Sequence, residues 1–145
     1  MVGTEATKAS PSLLYMVKRV ELVVRSHLDE LVRPEGITAL QYTSLTVLER
    51  HDGLPAAQLA RDSFVTAQSV ADVVRALENR GLVRRERNPG NRRELLIHLT
   101  DEGLDLLARF AVPVRELEER MVRDLTPHQT DQLRQALSRA WHALS

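Results

Sequence analysis

Seven arginines lie between residues 75 and 93, at positions 75, 80, 84, 85, 87, 92 and 93, against two acids, Glu78 and Glu86, a local excess of five positive charges. Guanidinium groups gathered in this way suit phosphates, whose neutralisation dominates affinity for a polyanion and makes it fall steeply with salt. Immediately upstream, Gln68, Ser69, Asp72 and Arg75 can all make hydrogen bonds. Val70, Val73, Val74 and Leu77 recur there at the i, i+3, i+4, i+7 spacing of one buried helix stripe, so Gln68, Asp72 and Arg75 face the opposite way. Glutamine can bond adenine bidentately and serine can reach either bases or phosphate. A polar helix face followed by a basic segment is therefore a candidate grip on nucleic acid.

Other chemistries find little support. The chain has no cysteine, which removes disulfides, thiolate zinc sites and thiol-based sensing. The histidines, His27, His51, His98, His128 and His142, are scattered with no i, i+4 pair, so no metal site or other cofactor is expected. No serine, histidine and acid combination suggests a nucleophilic site, and an enzyme is not expected.

Stepping outward, Gly81 is a natural stop for the helix that carries Gln68. Residues Val83 to Arg87 and Glu94 to Leu99 then flank the turn-forming run Asn88-Pro89-Gly90-Asn91, which predicts a β-hairpin with Arg92 and Arg93 at its tip. Upstream, Pro55 suits a first helical position, and a short helix to about Arg61 would bury Ala56, Leu59 and Ala60. A short helix, a tight connection and a polar-faced helix make a helix-turn-helix.

The flanks are helical too. Leu13 to Leu31 steps its apolar residues by three and four, and Thr38 with Gln41 offers a capping box for the helix that runs to about Arg50. Thr100 caps a long helix in which Pro113 should introduce a kink or a split. Thr126-Pro127-His128-Gln129 starts a last helix, expected to bury Leu133, Ala136, Leu137, Ala140, Trp141 and Leu144. Such long apolar helices exceed what one small core can cover, so a symmetric dimer is expected.

The 145 residues fit one ordinary domain, with 43% hydrophobic and 28% charged residues and only 3% aromatics, which implies an aliphatic core. Net charge is formally zero, but acidity is segregated: Asp101 to Asp131 holds eight acids against four arginines. No apolar run approaches a membrane span and the N-terminus lacks the order of a signal peptide, so a cytoplasmic location without membrane partners is expected. The expected organisation is a flexible arm over residues 1–11, dimerisation helices over 12–36 and 101–145, and a DNA-binding lobe over 37–100, in one compact domain overall.

This order of elements resembles the MarR family of winged helix-turn-helix transcription regulators. The match rests on Ile37-Thr38-Ala39-Leu40-Gln41-Tyr42 with Val47-Leu48, on Leu59-Ala60 with Val65-Thr66-Ala67-Gln68-Ser69-Val70, and on Leu77-Glu78-Asn79-Arg80-Gly81-Leu82-Val83-Arg84-Arg85 with Leu99-Thr100-Asp101-Glu102-Gly103. The resemblance implies a mainly α fold with a small β-hairpin wing, and a homodimer that acts as a repressor on a pseudo-palindromic operator in double-stranded DNA. Thr66, Ala67, Gln68 and Ser69 would form the base-reading helix start, and Arg93, beside Arg92, would enter the minor groove. Arg84 and Arg87, on the hairpin, would also bind DNA, by neutralising phosphates. It further implies release by a small aromatic or lipophilic effector, for which His27, Tyr42 and Arg109 would supply polar contacts. Two departures stand out. Many relatives carry Thr-Arg where this chain has Ala71-Asp72, and an aspartate where it has Asn91. Asp72 would either accept a hydrogen bond from a cytosine amino group or repel phosphate. The competing expectation is a helical dimer that works through protein contacts or ligand sequestration and keeps a vestigial winged helix.

Overall fold

The computed structural model describes residues 9–145, so the expected arm lies outside the described residues up to residue 8. The elements, in order, are α1 (Leu13–Val32), α2 (Ala39–Arg50), β1 (Leu54–Pro55), α3 (Ala56–Asp62), α4 (Ala67–Asn79), β2 (Val83–Asn88), β3 (Asn91–Leu99), α5 (Asp101–Met121) and α6 (Pro127–Leu144). A 3-10 turn over Arg33–Glu35 follows α1. Two compact units result, the first ending at Leu104 and the second starting at Asp105.

In the first unit, helix boundaries follow from capping chemistry. Ser12 caps α1 by accepting the Tyr15 N–H. Thr38 and Gln41 form the expected capping box on α2, and Asp29 of α1 accepts the Ala39 N–H at 2.6 Å, placing a carboxylate at the positive end of α2. At the far end of α4, the Leu82 N–H reaches the Leu77 carbonyl and the Gly81 N–H reaches that of Glu78, each at 2.9 Å. That pair of bonds is a Schellman stop, and it requires the left-handed φ of +72° that Gly81 adopts.

The core is aliphatic, as the composition implies. Leu45, Val47 and Leu48 of α2, Leu59 of α3, Val70, Val73, Val74 and Leu77 of α4, Leu82, Val83 and Ile97 are all buried. Each buried side chain of α4 contributes about 2 kcal/mol by the usual transfer scale, which fixes the face that α4 turns inward and hence the face it turns out. Phe64, in the turn between α3 and α4, is the one non-glycine at positive φ among the described residues, at 61°.

The sheet departs from the expected hairpin. It has three strands in the order β1-β3-β2, because Leu54 and Pro55 pair with Ile97 and Leu96. Pro55 is thus not the first residue of α3; it is extended and precedes the helix. Its ring fixes φ near a value shared by both conformations, and an edge strand tolerates the missing N–H. Ala56 is exposed, contrary to expectation, whereas Leu59 and Ala60 are buried.

The second unit holds most of α5 and all of α6. α5 continues through Pro113 as one helix, so of the kink or split expected there the split does not occur. Thr126 and Gln129 form a complete capping box with Pro127 at the first helical position. The stripe expected to be buried on α6 is exposed in the single chain: Leu137 is 51% exposed, Trp141 57% and Leu144 86%. Helical periodicity defines such a stripe without supplying the surface that covers it. In the first unit α1 behaves likewise, with Leu13, Leu14, Val17, Val20 and Val23 exposed and only Val32 buried. Among the described residues, no helix is long and apolar enough to cross a membrane.

Candidate nucleic-acid interface

α4 owes its start to Thr66, whose hydroxyl oxygen accepts the Ser69 N–H at 3.0 Å while its proton is donated to the Ser69 Oγ at 3.0 Å. Thr66 and Ser69 are therefore bonded to each other at the head of the helix. Replacing Thr66 with alanine is expected to lower the stability of the first unit by about 1 kcal/mol, and serine to restore it, as thermal melting would show. In the same first turn, Gln68 is exposed and its amide makes no hydrogen bond among the described residues. Asp72 and Arg75 continue the same exposed face and meet in an ion pair at 3.2 Å.

The arginine cluster divides into two groups. Arg75 pairs with Asp72, Arg80 with Glu35 at 4.0 Å, Arg84 with Glu86 at 2.9 Å and Arg85 with Glu78 at 3.3 Å. Arg84 lowers the Glu86 carboxyl below its ordinary range, first through the hydrogen bond and then through its charge. Arg87, Arg92 and Arg93 are exposed and have no ion-pair partner among the described residues. Within this cluster, the charge that no acid among the described residues engages is thus concentrated toward the wing tip.

Local geometry explains how the tip presents it. Pairing of β2 and β3 jumps from Arg87↔Leu95 to Asn88↔Asn91, so Arg92, Arg93 and Glu94 have no counterpart in β2. A bulge of this kind bends its strand and re-aims its side chains. Two amides hold it: Asn88 Oδ1 accepts the Gly90 N–H at 2.9 Å, and Asn91 Oδ1 accepts the Arg93 N–H at 3.2 Å. Asn88 also donates to Glu94 at 3.2 Å. The amide at 91 therefore organises the turn by hydrogen bonding where charge is absent.

One anchoring residue escapes sequence reasoning. Asp52, in the loop before β1, accepts the Leu99 N–H at 2.8 Å and contacts His98 Nδ1 at 3.0 Å, while His98 Nε2 lies 3.4 Å from Glu86. These contacts fasten the wing's root to the loop after α2. Burial is the largest single influence on the Asp52 carboxyl and raises its pKa. The His98 and Leu99 hydrogen bonds, the His98 charge and the Gly53 N–H together outweigh it, leaving the pKa below the ordinary value of 3.8. A depressed carboxyl stabilises the fold above its unfolded pKa and loses that contribution as pH falls through the lower, folded value. An Asp52→Asn variant should therefore melt below wild type at pH 7, and the gap should close below about pH 4.

The expected effector contacts lie on three different helices. His27 is half-buried on α1 and Tyr42 is buried on α2, its phenol pKa raised first by burial and then by Glu49. Arg109 lies on α5 in the second unit and is exposed.

Comparison with known proteins adds context to this geometry. The profile of the MarR family matches residues 37–95. The HTH-type transcriptional repressor Rv2887 of Mycobacterium tuberculosis is 32% identical over 125 residues, covering 86% of this chain and 90% of its own length. A MarR family transcriptional regulator from Silicibacter pomeroyi has a similar fold, with a TM-score of 0.89 and 20% identity over 95% of this chain and 96% of its own. Staphylococcus aureus MepR in complex with DNA gives a TM-score of 0.80 at 23% identity, covering 92% of this chain and 99% of its own.

Proposed function

This chain belongs to the MarR family, and we propose that it represses transcription as a homodimer that binds a pseudo-palindromic operator. It is a DNA-binding regulator and not an enzyme. The observation that carries the mode of binding is the set of arginines at 87, 92 and 93 that have no ion-pair partner among the described residues, borne by a wing in the same compact unit as the exposed face of α4. In this reading α4 enters the major groove with Gln68 and Ser69 toward base edges, and the wing tip lies along backbone and minor groove. Arg84 and Arg87 line the approach to the backbone.

A second copy of the chain is the partner that suits the uncovered apolar faces of α1 and α6, since contiguous exposed leucine and valine at this density mark an interaction surface. Two α4 helices related by a two-fold axis would meet half-sites about 10 base pairs apart. Release by a small aromatic or lipophilic effector belongs to the same reading, and substitutions at His27, Tyr42 and Arg109 test it.

A mobility-shift series against DNA upstream of its own gene tests the proposal. A shift that weakens steeply with salt, and is lost in a Gln68→Ala, Arg93→Ala double variant, is the expected result. No shift at low salt, or full affinity in the double variant, would overturn it.

A further inference from the structure

The polar face of α4 extends beyond its first turn. Gln68, Asp72 and Arg75 follow one another at i, i+4 and i+7, so they form a single row opposite the buried Val70, Val73, Val74 and Leu77. An acid in the middle of a DNA-facing row would oppose binding if it stood alone. It does not stand alone, because Arg75 Nη1 lies 3.2 Å from Asp72 Oδ1, and both side chains are well over half exposed.

From this juxtaposition we propose that Asp72 and Arg75 act as one reading unit, in which Arg75 bonds the O6 and N7 edge of a guanine and Asp72 positions its guanidinium. The proposal rests on α4 occupying the major groove. An exposed ion pair one turn apart contributes little to helix stability, so its consequence lies in orientation. Arginine has five N–H donors in a rigid fork. A carboxylate that occupies one of them on Nη1 restricts rotation and leaves the remaining edge available for a bidentate contact. Asp72 thus trades repulsion of phosphate for selection of a base.

Spacing turns this into a statement about the operator. Seven residues at 1.5 Å each separate Gln68 from Arg75 by about 10.5 Å along the helix axis, which matches about three base-pair steps of 3.4 Å. Each half-site should contain an A·T pair opposite Gln68 and a G·C pair about three steps away opposite Arg75.

Selection from a random double-stranded library with the full chain, repeated with variants, tests the assignment. Wild type should enrich a half-site with those two pairs. Arg75→Ala should lose discrimination at the G·C pair alone, by about ten- to a hundredfold, and keep the A·T preference. Asp72→Ala should also blur the G·C position, and the two substitutions together should cost no more discrimination than Arg75→Ala alone. Asp72→Asn, which retains an oxygen acceptor, should restore part of it. A merely repulsive Asp72 predicts the opposite: alanine would raise affinity for every sequence and leave base preference untouched. A uniform loss in Arg75→Ala, with the salt slope reduced by about one, would make Arg75 a phosphate contact and overturn the proposal. If wild type enriches no sequence, the operator-binding reading fails with it; if it enriches one that neither variant alters, only the pairing fails.

Discussion

Replacing Arg92 and Arg93 together with alanine is expected to weaken DNA binding by about ten- to a hundredfold and to reduce the slope of log affinity against log salt by about two. The magnitude follows from counterion release: each phosphate neutralised contributes about 0.9 to the slope, and both guanidiniums are exposed without an acidic partner among the described residues. They sit in the three-residue bulge opposite Arg87 and Asn88, held out of the ladder by the Asn91 amide. The matching pair of substitutions at Arg84 and Arg85 serves as the comparison. Those side chains are already engaged by Glu86 and Glu78 at 2.9 and 3.3 Å, so their removal should change the slope by less. Fluorescence anisotropy across a salt series separates the two cases. Equal slopes for both double variants would mean that ion pairing in the free protein has no bearing on which arginines meet phosphate.

Arginine pairing also shows where sequence reading stops. The count of seven arginines against two acids locates the basic segment correctly, but it overstates the charge available at the surface. Glu35 lies 45 residues from Arg80, and Asp52 lies 46 from His98; neither pairing has a local signature. By contrast, the buried stripe of α4, the Gly81 stop and the two capping boxes are legible because helix periodicity and end chemistry act within a few residues. β1 is missed for the complementary reason. Two residues that include a proline carry no alternation, and their pairing partners arrive only with β3. The α6 stripe is legible as a stripe, but what covers it is not, since the pattern of Leu133, Leu137 and Trp141 is the same whether its partner is the same chain or a second copy.

The largest expected effect on stability comes from Gly103, at the junction that sets the wing against α4. In an ordinary helix, changing glycine to alanine gains about 1 kcal/mol. Here the sign should reverse. Thr100 Oγ1 donates to the Gly81 carbonyl at 2.6 Å and accepts the Gly103 N–H at 3.1 Å, while the Thr100 N–H donates to the Leu82 carbonyl at 3.1 Å. These bonds draw the first turn of α5 onto the chain segment that links α4 to β2. A Cβ on Gly103 would fall on the Leu82 carbonyl oxygen and within 3.1 Å of Leu99 Cδ2. The carbonyl is backbone, held by a hydrogen bond, and cannot rotate away. Overpacking of this kind costs about 1–3 kcal/mol, occasionally more, so Gly103→Ala should lose about 1–2 kcal/mol net, a fall in melting temperature of roughly 5–15 °C. Gly81 supplies the control, because a Cβ added there would meet nothing within 4 Å beyond its chain neighbours, which leaves the positive φ as its requirement. Gly81→Ala should cost about 1 kcal/mol, with asparagine recovering part of the loss, whereas no larger side chain should rescue position 103. Because the Gly103 clash acts on the joint between α4 and the wing, its variant should also lose DNA affinity at temperatures where it remains folded. A Gly103→Ala protein that melts at or above wild type would show that the close approach at Leu82 does not constrain the joint.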